Sequence, residues 1–228
     1  MPRHARVAPP GLVYHVTNRT AGKFIMLRRE DDFAAFERVL LEAHEREPLR
    51  ILAYCLMGNH WHFIVWPSKP GQLSRFFRWL TLTHAVRWRV AHHSVGAGHL
   101  YRGRFKAFAI QQNPRLLEAL RYVERNALSA GLAKRAEDWR WGSLWAREQG
   151  PEPLRQLLCD WPVRRPPDWT ERVNAPINEK ELARLELSER REQPYGEQDW
   201  VARTVKRLGL EHTVRREGRP EKPKVVVS

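Results

Sequence analysis

Residues 49–67 read LRILAYCLMGNHWHFIVWP. Two apolar runs flank Gly58-Asn59, a turn-prone pair, so the stretch reads as a β-hairpin. Alternate residues of a strand share a face. His60 and His62 therefore project side by side, close enough to hold one metal ion, and Trp61 points the other way. A strand histidine is as a rule an ordinary core or surface residue, so the pair alone leaves both readings open. A metal centre would need a third ligand and a reactive group from another segment. The first strand of the hairpin is apolar on both faces, Leu52, Tyr54 and Leu56 against Ile51, Ala53 and Cys55. That pattern belongs to a sheet covered on both sides.

Working outward, residues 11–20, GLVYHVTNRT, read as an earlier strand. A helix capped by Asp31 or Asp32 runs to about Glu47, with Phe33, Phe36, Val39, Leu40 and Ala43 as its apolar stripe, and Pro48 ends it. After the hairpin, residues 72–93 form a long helix with Leu73, Phe76, Phe77, Leu80, His84 and Trp88 at helical spacing. Residues 103–112, GRFKAFAIQQ, read as a fourth strand. Asn113-Pro114 then starts a helix, with Asn as N-cap and Pro in the first turn, and Gly131 stops it. The order βαββαβ followed by a helix is the split-βαβ, ferredoxin-like order. The fold class expected is α+β: a ferredoxin-like antiparallel sheet with helices, an extra helix after the fourth strand, and a mostly helical, basic C-terminal extension. From Gly150 the composition turns Pro-rich, so the division expected is a first domain over residues 1–148 and a linker plus extension over residues 149–228.

The 228 residues carry 40 Lys+Arg against 26 Asp+Glu, a formal charge of +14. A chain this basic meets a polyanion, with nucleic acid as the default. The helix over 72–93 bears Arg75, Arg78, Arg87 and Arg89 and no acid, which makes it a candidate for phosphate contact, through Arg75, Arg78 and Arg87 first. Arg102, Arg104 and Lys106 near the fourth strand are further candidates. Cys55 and Cys159 are the two cysteines, neither in a CxxC pair, which argues against a zinc-cysteine site or a disulfide framework. There is no 18-residue apolar run and no apolar signal core, so the expectation is a cytoplasmic protein with no membrane partner.

In the helix after the fourth strand, Glu118, Tyr122 and Asn126 fall at i, i+4 and i+8, along one side, with Arg121 and Arg125 flanking the tyrosine. An amphipathic tyrosine at the core edge would show the same pattern. The motifs taken together resemble the single-tyrosine HUH transposases, and among them the REP-associated tyrosine transposases of bacteria. They are MGNHWHFIV, RFKA, RYVERNALSAGL, the WRWGSLWA block and the tail PYGEQDWVARTVKRLGLEHTVRREGRP. The resemblance covers roughly residues 10–220. Where that family often has Asn-Pro after the tyrosine, this chain has Asn126-Ala127, from which a less broken helix is expected.

The resemblance implies that His60, His62 and Asn126 hold a divalent cation, Mg²⁺ or Mn²⁺, which leaves positions for a scissile phosphate. It implies Tyr122 as nucleophile, giving a 5′-phosphotyrosine and a free 3′-OH. Arg121 and Arg125 could lower the phenol's pKa and contact DNA, and Glu118 could accept a proton or touch the metal. Arg219 in the tail is a candidate minor-groove contact. The implied partner is single-stranded or hairpin DNA of the REP-like palindrome type, bound by a monomer or a homodimer with the cell's nucleoid as its setting. Two other readings remain: a hairpin-binding protein of the same fold that does not cut, and a phosphodiesterase that uses water.

Overall fold

The computed structural model describes residues 7–22 and 24–215. Its centre is an antiparallel sheet of β1 (Val13–Arg19), β2 (Arg50–Leu56), β3 (His60–Trp66) and β4 (Lys106–Ile110) in the order β2-β3-β1-β4. This is the ferredoxin-like arrangement expected from the element order. The hairpin turn is compact: Met57 N donates to His60 O at 2.9 Å. At Gly58 a Cβ would come within 3.0 Å of Ile25 Cγ2, so a side chain there would have to push Ile25 aside. Its carbonyl accepts from Met26 N and Leu27 N, which ties the loop after β1 to the hairpin tip.

Each face of the sheet is covered. On one lie α1 (Glu30–Arg46) and α2 (Gln72–Ala91). They bury Phe36, Val39, Leu40, Phe76, Phe77 and Leu80 against Tyr14, Val16, Trp61, Phe63 and Val65. On the other lies α3 (Pro114–Glu124), whose Leu116, Ala119, Leu120 and Val123 pack on Val13, Ile64, Phe108 and Ile110. The Asn113 side chain caps α3 by accepting from Arg115 N at 3.0 Å, with Pro114 in the first turn. The helix then breaks at Arg125, and a short turn α4 (Asn126–Ser129) resumes it. The start and stop signals give a helix running to Gly131, and alanine in place of proline a less broken one. Instead Arg125 reaches sideways: its Nη1 donates to Val173 O at 2.9 Å and Asn174 O at 2.6 Å, which anchors the chain at the break.

The rest of the chain comprises α5 (Ser143–Glu148), α6 (Glu152–Gln156), α7 (Trp169–Asn174), α8 (Glu179–Arg191), α9 (Gln198–Leu208) and α10 (Glu211–Val214). Trp169, Val173, Leu185 and Tyr195 join the same apolar cluster as α3. Glu124 is buried between them; it accepts from Ser143 Oγ at 2.6 Å and Trp169 Nε1 at 2.7 Å. These segments also close the sheet edges, whose unpaired backbone groups would otherwise invite another strand. At β2, Leu56 N donates to Trp141 O, Cys159 N to Ile51 O, and the indoles of Trp139 and Trp161 to Leu56 O and Leu52 O. At β4, Tyr195 N donates to Ala109 O at 2.8 Å and Gln111 N to Tyr195 O at 2.9 Å. Gly209, at φ 65°, ends α9.

Candidate functional site

Strand alternation places the histidines. In β3, His60 and His62 pair across to Arg19 and Thr17 of β1 and lean toward the α3 face. Trp61 between them turns to the opposite face, where it stacks on Phe77 with ring centroids 5.5 Å apart. The imidazoles of His60 and His62 stand perpendicular, 4.9 Å between centroids. α3 crosses the same face, and its register brings the Tyr122 ring edge-on to His62 at 5.8 Å and to His15 of β1 at 6.2 Å. The phenol and the paired imidazoles therefore share one cleft within one chain. Asn126, one helical turn beyond Tyr122, interacts with both His60 and Tyr122.

Two further side chains complete the cluster. His15 is buried, and its Nε2 lies 2.9 Å from His62 Nδ1. Glu189 comes from α8: the Tyr122 hydroxyl donates to Glu189 Oε2 at 3.2 Å, and that oxygen is 4.0 Å from His62 Nδ1. Ligand atoms of His15, His62 and Glu189 all lie within 4.8 Å of one another. His60 Nδ1 sits 2.6 Å from Asn59 Oδ1. An amide oxygen only accepts, so His60 carries its proton on Nδ1 and keeps the Nε2 lone pair available.

Burial sets the charge states. Desolvation, with His62 adding to it, pushes the His60 imidazole down to about 4. Desolvation pushes His62 down to about 3. Both are neutral at pH 7 and present lone pairs, as metal ligands must. The Tyr122 phenol is pushed well up, first by burial and then by the Glu189 carboxylate. Burial also raises Glu189. The expectation that Arg121 and Arg125 lower the phenol's pKa is not met, because neither guanidinium faces it. Arg121 Nη2 donates to Ala175 O at 2.9 Å and Pro176 O at 2.5 Å, while Arg125 holds the carbonyls of Val173 and Asn174. Both arginines fasten the chain before α8 and are engaged away from the cleft. Glu118 is likewise elsewhere, bonded to Tyr195 Oη and Arg115 and within 3.7 Å of Arg184.

The cleft measures about 1380 Å³; besides the cluster, its walls include Arg19, Arg102, Arg104, Lys106, Arg191 and His212. Lys106 is already engaged: its Nζ donates to Glu189 O at 3.4 Å and Arg190 O at 3.2 Å, capping the C-terminus of α8. Arg75, Arg78 and Arg87 lie on α2, across the sheet from the histidines. Arg75 is paired with Glu47 at 2.7 Å and Arg87 with Glu42 at 2.6 Å, so acids missing from α2 itself are supplied by α1 and its C-terminal residue. Arg219 lies outside the described residues. His15 and Glu189 were not singled out from the sequence. His15 sits in the recognised strand, one face-period from Thr17. Nothing around Glu189 in a charged helix sets it apart from its neighbours.

Fold and site together define an α+β protein with a ferredoxin-like sheet, carrying paired strand histidines and a helix-borne tyrosine on one face. The chain belongs to the IS200-like transposase family, since the family model described as "Transposase IS200 like" matches residues 10–126. That span runs from before β1 to Asn126 and contains both histidines and Tyr122. Among solved structures, the chain is similar to a REP-associated tyrosine transposase bound to a REP hairpin: 17% identity over 68% of this chain and 90% of that one, TM-score 0.50. It is also similar to tRNA(His) guanylyltransferase from Saccharomyces cerevisiae, at 11% identity over 68% of this chain and 74% of that one, TM-score 0.44. No curated protein sequence matches it significantly. Among the described residues no helix is long and apolar enough to cross a membrane.

Proposed function

We propose that this transposase cuts and rejoins single-stranded DNA beside REP-type hairpins through a covalent 5′-phosphotyrosine on Tyr122, assisted by a divalent cation. The observation that carries the reading is the edge-on approach of Tyr122 to His62 at 5.8 Å, from segments far apart in the chain. The donor set fits a cation: two neutral imidazoles and the Asn126 amide beside them suit Mn²⁺, which accepts nitrogen more readily than Mg²⁺ does. His60, His62 and Asn126 would hold it, and when bound it would polarise a phosphoryl oxygen and offset developing charge.

In the reaction proposed, Tyr122 Oη attacks phosphorus, the P–O3′ bond breaks, the phenol loses its proton and the departing 3′ oxygen gains one. Bond energy is conserved in the phosphotyrosine, so rejoining needs no nucleotide triphosphate. Burial and the Glu189 carboxylate favour the neutral phenol, so attack requires a base or the cation to take up its proton or charge. Arg102 and Arg104 on the cleft wall are the candidates for guiding the phosphate backbone. Tyr122 reaches the histidines of its own chain, which supports action in cis. The hairpin as partner is taken from the similar solved structure.

The test uses a labelled single strand carrying a REP-type hairpin, with Mn²⁺ present, resolved on a denaturing gel. Wild type is expected to give a protein–DNA adduct, and Tyr122→Phe none while it retains hairpin binding. Cleavage by Tyr122→Phe would point to attack by water. Binding by the wild type with neither adduct nor cleavage would leave a hairpin-gripping protein.

A further inference from the structure

The ligand set proposed above has a deficit of charge. Two neutral imidazoles and one amide bring no negative charge to a divalent cation, and Mg²⁺ and Mn²⁺ sites ordinarily include a carboxylate oxygen. Among the described residues, the carboxylate that clusters with His62, and with His15 behind it, is Glu189. Its Oε2 lies 4.0 Å from His62 Nδ1. Two ligands about 2.1 Å from one ion can stand at most roughly 4.2 Å apart, so the spacing is within the span of a single cation.

Glu189 is also held in place more firmly than a solvated glutamate on a charged helix would be. Lys106 caps the carbonyls of Glu189 and Arg190. Glu192, the αL residue that ends α8, accepts from Ala107 N at 3.2 Å. Beyond it, Tyr195 adds to the free edge of β4, and before α8 Arg121 grips the carbonyls of Ala175 and Pro176. Leu185, one turn before Glu189, is in the core. The segment that contributes the carboxylate is thus attached at several points along its length to β4, the strand beside β1, and to α3, the helix that bears the tyrosine.

We propose that Glu189 is a further ligand of the cation, so that the C-terminal extension completes the metal site of the transposase fold. The proposal rests on the cation reading above and adds one residue to it. Glu189 Oε2 now accepts from the Tyr122 hydroxyl at 3.2 Å; as a ligand it would supply the negative charge the imidazoles and amide lack.

The test is Mn²⁺ binding by the full chain without DNA, followed by the electron paramagnetic resonance signal of free Mn²⁺. Wild type is expected to bind one ion, and Tyr122→Phe to bind it equally well. Glu189→Gln, which keeps shape and loses charge, is expected to weaken binding at least tenfold. Glu189→Asp, which restores charge on a shorter arm, should recover part of that loss, and it carries the same test if the glutamine variant does not fold. His60→Ala separates the two ideas. Binding lost in His60→Ala but unchanged in Glu189→Gln overturns the role of Glu189 alone. Binding unchanged in His60→Ala overturns the cation site itself. Unchanged Mn²⁺ affinity with faster cleavage in Glu189→Gln would make the carboxylate an obstruction and refute its role as ligand.

Discussion

Trp61→Ala is the substitution whose consequence follows most directly from the structure. Trp61 separates the two histidines in sequence and is fully buried on the opposite face of β3. Its indole stacks on Phe77 at 5.5 Å and meets Phe63 edge-on at 5.3 Å, and its Nε1 donates to Tyr101 Oη over a long 3.3 Å. A buried tryptophan withdraws about 150–250 Å² from water. At about 25 cal/mol per Å² that is roughly 4–6 kcal/mol, of which the remaining alanine retains a small part. The cavity left behind adds to the loss, and truncations of this kind cost about 3–5 kcal/mol. The long hydrogen bond is a minor contribution. Trp61→Phe keeps most of the packing and is expected to cost about 1–2 kcal/mol. Urea unfolding followed by fluorescence and circular dichroism measures both. Cleavage should fall more in the alanine variant than in the phenylalanine variant at a temperature where both remain folded, because Trp61 anchors the strand that aims the imidazoles. A cost below about 1.5 kcal/mol for Trp61→Ala would refute the view that this side chain pins β3.

Two other outcomes follow. His84 is buried against Phe36 and Tyr101, and desolvation pushes its imidazole down from 6.5 to about 3. Between those values the unfolded chain binds a proton that the folded chain refuses, so the folded state loses stability as pH falls below 6.5, by about 1.4 kcal/mol per pH unit for such a group. Thermal melts should show a lower Tm at pH 5 than at pH 7, with about 2 kcal/mol of the difference from His84, and His84→Gln should flatten that slope; an equal Tm at both pH values counts against a neutral buried His84. Lys106→Met should lower stability by under about 1 kcal/mol through loss of the α8 cap and leave the salt dependence of hairpin binding unchanged, whereas Arg102→Ala should reduce the slope of log K against log salt by about 1. The reverse pattern would restore Lys106 as a phosphate contact.

Alternation over residues 49–67 was enough to put His60 and His62 on one face and Trp61 on the other, because a strand's period of two needs no partner to be read. The same holds for the Asn113-Pro114 start and for the βαββαβ order that the sheet bears out. Side-chain partners across the fold were another matter. Arg75 and Arg87 lacked acids on their own helix, and the balancing Glu47 and Glu42 came from α1 and its end once the two helices packed together. Arg121 and Arg125 stand about 100° and 60° round the helix from the tyrosine, and the carbonyls that hold them belong to the extension, far along the chain. Glu189 stands 67 residues from Tyr122, and His15 stands 47 from His62. Periodicity tells a side chain which way to face along its own element. Which distant group it meets there is decided by the packing of whole elements, and no local repeat in the chain carries that information.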